Sequence, residues 1–155
     1  MVLSMDKNDE KADKQNAVST EELLRLLKDS QSLEGFYEQV GENLPPVSTP
    51  EYLKQLLKEH TLSKKEIIER ANLERSSGYQ IFSGLRNPKR NTLLRIALTM
   101  KLSLPEVQRL LKISQRGELY PKNRRDAALI YCIHRRLSLI DTEILLEGIG
   151  ESLLK

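Results

Sequence analysis

The stretch SKKEIIERANLERSSGYQIFSG, residues 63–84, decides how this 155-residue chain is read. Ser63 to Ala71 is a nine-residue amphipathic helix with Ile67, Ile68 and Ala71 turned inward. Asn72-Leu73-Glu74 interrupts it, and asparagine is one of the few residues that accepts left-handed backbone. Arg75 to Ser83 makes a second short helix, ended by Gly84, and Arg86-Asn87-Pro88 turns the chain before the next helical pattern. Two short helices joined by about three or four residues cross steeply. Such a crossing leaves the second helix at the surface, where the major groove of B-DNA can accept it.

Working outward, the pattern stays helical. Thr49-Pro50-Glu51 is a helix start, with Thr as cap, Pro at the first helical position and Glu at the positive helix end, followed by inward Leu53, Leu56 and Leu57. Three later starts share one phrase: Leu62-Ser63 with Glu66, Leu102-Ser103 with Glu106, and Leu137-Ser138 with Asp141. Each offers a Ser cap, an acid three residues on and a Leu staple before the cap. The last two stand 35 residues apart, and Leu94, Leu98, Leu110 and Leu111 align with Leu129, Ile133, Leu145 and Leu146. This reads either as two copies of one helical hairpin, about 92–112 and 127–147, or as convergence on shared capping physics. The run Ala127 to Ile133 is apolar nearly all round and is expected to be the most buried helix.

The N-terminal side differs. Residues 1–18 are polar, without periodicity, and read as a disordered acidic tail. Ser19-Thr20-Glu21-Glu22 opens a short helix, and Leu33, Phe36, Tyr37 and Val40 mark a second. Gly41 and Pro45-Pro46 make a linker. The expected organisation is therefore a tail over 1–18, a helical extension and linker over 19–48, a helix-turn-helix domain over 49–113 and a C-terminal hairpin over 114–155 packed on it.

Charge divides the same way. Residues 1–50 hold 5 Lys and Arg against 10 Asp and Glu, whereas residues 51–155 hold 20 against 12. A body of net +8 behind an arm of net −5 suggests a polyanionic partner for the body, with the arm serving solubility. The chain is too short for separate cofactor and substrate domains, and its longest apolar run, seven residues, cannot span a bilayer. Cys132 is the one cysteine, which leans towards a reducing, cytoplasmic setting and a buried structural role. Cys132 and His134 lie about 200° apart on their helix. His60 is 74 residues from His134, so no metal site is expected. With no phosphate-cradling glycine loop, paired catalytic carboxylates or Ser/His/Asp set, neither an enzyme nor a cofactor is expected.

On Leu62-Ser63, Leu73, Ile81, Phe82-Ser83-Gly84 and Arg86-Asn87-Pro88 before Leu93-Leu94, the chain resembles the Cro and phage-repressor (XRE-type) helix-turn-helix family over about residues 53–104. The resemblance implies an all-α, five-helix repressor-like domain that binds double-stranded operator DNA as a homodimer, with residues 75–83 as recognition helix. It departs from the family at Ile68, where Ala is usual, and at Gly78, where Ile or Val is usual. The two departures read as a compensating swap. Glu74 stands where Ser or Thr would cap, and brings a negative charge to the DNA-facing end.

A helical wheel turns Gly78, Ile81 and Phe82 to the core and Ser76, Gln80 and Ser83 away, with Ser77 and Tyr79 at the flanks. The expected base-contacting set is Arg75, Ser76, Ser77, Tyr79 and Gln80, since Gln can pair with adenine and Arg with guanine. The expected phosphate-contacting set is Lys64, Lys65, Ser83, Arg86, Asn87, Lys89 and Arg90. Lys122, Arg124 and Arg125 form a further basic turn, read as an ordinary surface at a helix N-terminus or, alternatively, as an open second phosphate contact. The expected function is a sequence-specific transcriptional regulator. The C-terminal hairpin is expected to complete the core or supply a dimer surface, and is a candidate site for a protein partner. The alternative function is a degenerate helix-turn-helix adaptor that binds another protein rather than DNA.

Overall fold

A computed structural model describes residues 19–40 and 48–155; the tail over 1–18 and the Gly41 and Pro45-Pro46 linker lie outside the described residues. Among the described residues there are nine helices and no strand. They are α1 (Thr20–Asp29), α2 (Leu33–Val40), α3 (Thr49–Glu59), α4 (Lys64–Arg70), α5 (Arg75–Ser83), α6 (Arg90–Thr99), α7 (Leu104–Ile113), α8 (Arg124–His134) and α9 (Leu139–Gly148). None is long and apolar enough to cross a membrane. The chain divides into two compact units, Met1–Pro46 and Val47–Lys155.

In the first unit Ser19 caps α1, its hydroxyl accepting the Glu22 N–H at 3.1 Å. Leu24 and Leu27 of α1 face solvent, while α2 buries Phe36.

The second unit is built from one kind of helix link used four times: His60-Thr61-Leu62-Ser63, Ala71-Asn72-Leu73-Glu74, Met100-Lys101-Leu102-Ser103 and Arg135-Arg136-Leu137-Ser138. In each, the second residue takes left-handed backbone, at φ of 53°, 55°, 56° and 54°. The leucine N–H then bonds back to a carbonyl of the preceding helix, those of Leu57, Ile68, Ala97 and Cys132. That closes the spent helix end, and the leucine packs against the core ahead of the next cap, fully buried at Leu102 and partly at Leu62, Leu73 and Leu137. The turn at 71–74 is thus one case of a general device, with Glu in the place of Ser.

One core joins all seven helices of this unit. Leu53, Leu56, Ile67, Ile81, Leu93, Leu94, Leu110 and Leu111 lie in the same buried cluster as Leu129, Cys132, Ile133, Leu146 and Leu154. The boundary expected near residue 114 is therefore internal to one packed body, and the C-terminal hairpin completes the core. Helix α4 packs on α5 and α6, and α3 on α5 and α7. Three polar ties fasten α3 to α7: His60 Nε2 to Glu106 Oε2 at 2.7 Å, Thr49 Oγ1 to Ser114 Oγ at 2.8 Å, and the Arg109 guanidinium 5.2 Å from the centre of the Tyr52 ring.

Local expectations are corrected at four points. Ser48, not Thr49, caps α3, its hydroxyl accepting the Glu51 N–H, which frees Thr49 for Ser114. Ser63 stands at the cap of α4 without a side-chain hydrogen bond, while Ser103 and Glu106 form the full reciprocal box. Helix α8 is not the most buried one: Tyr131 and Ala127 are exposed among the described residues, whereas α6 buries Leu93, Leu94, Ile96, Ala97 and Leu98 between its neighbours. Lastly, Arg124 and Arg125 do not form an open basic turn. Arg125 donates to the carbonyls of Ser152 and Leu153 and to Asn91, and Arg124 to the carbonyl of Ile149, so both hold the C-terminal segment.

Candidate nucleic-acid interface

Helix α5 owes its position to its two ends. At the start, Glu74 caps with both carboxylate oxygens: Oε1 accepts the Ser76 N–H at 3.0 Å, and Oε2 accepts the Ser77 N–H at 2.8 Å and the Ser77 hydroxyl at 2.7 Å. The Ser77 hydroxyl and the two backbone N–H groups, with Arg86 adding its charge, hold this carboxyl below the usual carboxylate range. The negative charge that looked misplaced in the sequence is thus bound to the helix's own N–H groups, where the macrodipole favours it. At the far end Gly84 takes left-handed backbone at φ 88°, and a β-carbon there would come 3.0 Å from Pro50 of α3.

Between its ends, α5 buries Gly78, Ile81 and Phe82, as the wheel predicts. A β-carbon at Gly78 would stand 2.6 Å from Cγ2 and 2.9 Å from Cγ1 of Ile68, so the isoleucine of α4 fills the space that the missing side chain leaves. Arg95 of α6 grips the link from beneath, its guanidinium reaching the carbonyls of Ala71 and Asn72 at 2.6 Å each. A cation at the carbonyl end of α4 is the sign that the helix dipole favours.

The outward face assembles most of the expected set. Arg75 and Ser76 are exposed in the first turn. Tyr79 is half-buried, and its ring lies 5.6 Å from Lys64 Nζ, so α4 and α5 meet at that pair. Gln80 accepts the Arg86 Nε–H at 3.3 Å, which ties the middle of the helix to the turn after it. Because Arg86 can only donate, the amide oxygen of Gln80 faces the guanidinium and its NH₂ faces away. Lys65, Asn87 and Lys89 are exposed nearby in sequence.

Three expected residues are engaged elsewhere. Ser77 commits its hydroxyl proton to Glu74, and Ser83 donates to the carbonyl of Gln80. Arg90 is an internal strut: it makes a two-pronged pair with Asp126 at 3.0 Å on both prongs, and donates to the carbonyls of Gly117 and Glu118. Its adjacency to Lys89 in sequence hid this, because the partner lies 36 residues on. One exposed apolar residue beside α5 was not singled out in the sequence. Leu85 is 83% exposed between Gly84 and Arg86, at the rim of the same face. An apolar side chain there has no core role. Its only sequence signal is a leucine outside the helical period.

Among the described residues no three His, Cys, Asp or Glu side chains are grouped to hold a metal ion. Cys132 is fully buried, and burial pushes its thiol pKa up against a hydrogen bond with Thr142. No protein-family model, curated protein or solved structure matches this chain.

Proposed function

We propose that this protein is a sequence-specific DNA-binding regulator that lays α5 into the major groove. The observation that carries the reading is one outward face on which Arg75, Ser76 and Gln80 stand between the cations Lys64 on one side and Arg86 on the other. Groove-facing hydrogen-bonding groups flanked by phosphate-seeking cations are what DNA recognition needs. Lys65, Asn87 and Lys89 extend the flanks, Tyr79 braces Lys64, and Leu85 adds an apolar contact. Ser77 leaves the base-contacting set and Ser83 the phosphate-contacting set because both hydroxyls support the helix, and Arg90 supports the fold.

The two features that would favour a protein-binding adaptor have structural roles here. Glu74 caps α5 through the helix's own N–H groups while its carboxylate stays exposed, and the Gly78 space is filled by Ile68, so no hollow is left for a protein partner at α5. Selection of bound fragments from a random duplex pool tests the proposal. A consensus should emerge, and Arg75→Ala or Gln80→Ala should cost about 1–3 kcal/mol on it while relaxing the preference at one or two base pairs. Absence of any enriched sequence would refute base reading.

A further inference from the structure

The 35-residue repeat is visible in three dimensions. Helices α6 and α7 correspond to α8 and α9, and the packing exchanges them: α6 lies on α9, and α7 on α8. At the centre the equivalent left-handed residues trade bonds, Lys101 Nζ donating to the Arg136 carbonyl and Arg136 to the Lys101 carbonyl, each at 2.8 Å. The two hairpins are thus related by an approximate two-fold. Their surroundings are not. The first hairpin is covered, α6 by α4 and α7 by α3. Ile96 of α6 is fully buried, and Arg109 of α7 lies over Tyr52. Their equivalents on the second hairpin are Tyr131 and Ile144, 48% and 62% exposed, with Ile140 at 72% beside them.

We infer that this uncovered face of α8 and α9 is the seat of a second copy of the chain, joined face to face. A second copy has no spare α3–α4 hairpin to offer, because that hairpin is built into its own core. A like-on-like two-fold contact is the closed arrangement left. The charges fit it. The link before α9 carries Arg135 and Arg136, whereas the last turn of α9 carries Glu147 and no cation. The repeat places Lys112 where α9 has Glu147, so the second hairpin puts an acid at the negative end of its own helix. Two antiparallel α9 helices centred between Ile140 and Ile144 bring each Glu147 opposite the partner's Arg135 turn. Gly148, with open space around it, admits the close approach.

The dimer stands on the repeat and not on DNA binding, so it is tested without DNA. Sedimentation equilibrium of the full chain, up to about 100 μM, should show a monomer–dimer equilibrium. Ile144→Asp should weaken it at least tenfold without changing the thermal melt of the monomer at low concentration, since the residue is exposed there. Glu147→Arg should weaken it several-fold, and adding Arg135→Glu should restore it. A wild-type chain monomeric throughout, or an Ile144→Asp dimer of unchanged strength, overturns the proposal. Failure of Arg135→Glu to rescue Glu147→Arg overturns the two-fold arrangement. A monomer that still selects a DNA sequence refutes the dimer alone, and a dimer that selects none refutes the DNA reading alone.

Discussion

Gly78 and Ile68 are one packing unit split between two helices. The sequence shows two oddities, a bulky residue where a small one is usual and a glycine inside a helix, and their spacing suggests a swap; only the fold shows that the branches of Ile68 occupy the volume of the missing β-carbon. Helix propensity alone would make Gly78→Ala favourable by about 1 kcal/mol. The contact reverses that sign. Cγ2 of Ile68 is fixed to a branched β-carbon and leaves the clash only by abandoning its rotamer. Gly78→Ala should therefore destabilise the protein, by about 1–2 kcal/mol. Ile68→Ala should cost about 2–4 kcal/mol through the void it leaves. The double variant should be more stable than the sum predicts by about 1 kcal/mol or more, because the new methyl enters that void. Urea unfolding measures all three, and strict additivity would contradict the pairing. Glu74 teaches a related lesson. Its residue type suggested a weak cap, yet the longer side chain bends back to take two N–H groups and a hydroxyl, which no helix-cap preference table could indicate.

At the scale of elements, periodicity and capping phrases were enough to place the described helices, because each link needs a left-handed residue, a leucine and a cap in fixed order. What they could not place were ties between distant residues. Arg90 looked like one more cation after Lys89, and Arg124 and Arg125 like an open basic turn, since sequence spacing carries no information on partners some 30 positions away. The Arg90–Asp126 pair pins α6 to α8 and also takes the Tyr120 N–H. Burial works to raise the Asp126 pKa, but the hydrogen bond and charge of Arg90, with the Tyr120 N–H and the charge of Arg125, outweigh it and hold the carboxyl below its ordinary value. A carboxyl held low in the folded state contributes stability above its unfolded pKa and loses it as pH falls through the folded one. Asp126→Asn should cost about 3 kcal/mol at neutral pH. It should also flatten the loss of stability on acidification below about pH 4. Unfolding curves across that range check both, and an unchanged acid limb would remove Asp126 from the account.

At the scale of the whole molecule, the hairpin over 114–155 was expected to pack on the helix-turn-helix domain, completing its core or supplying a dimer surface. Leu129, Cys132, Ile133, Leu146 and Leu154 are walls of the same core. Deleting residues 124–155 should therefore unfold what remains, seen as loss of the cooperative melt by circular dichroism, whereas a docked accessory would leave a folded remnant. The exposed side of α5 proposed to meet DNA, by contrast, could be drawn from the helical wheel, because it consists of residues near one another in sequence. That face is the central claim, and salt reports on it most directly. Each phosphate contact releases counterions, so the logarithm of the affinity should fall linearly with the logarithm of salt concentration. The measurement is that slope for the wild type and for a Lys64→Ala, Arg86→Ala double variant, on selected and on random duplexes. The account predicts a slope shallower by about 2 per bound subunit in the variant on both duplexes. The sequence preference should survive in the variant, because Arg75 and Gln80 still read bases. An unchanged slope, or binding indifferent to salt in the wild type, would contradict the assignment of α5 and its flanks to DNA.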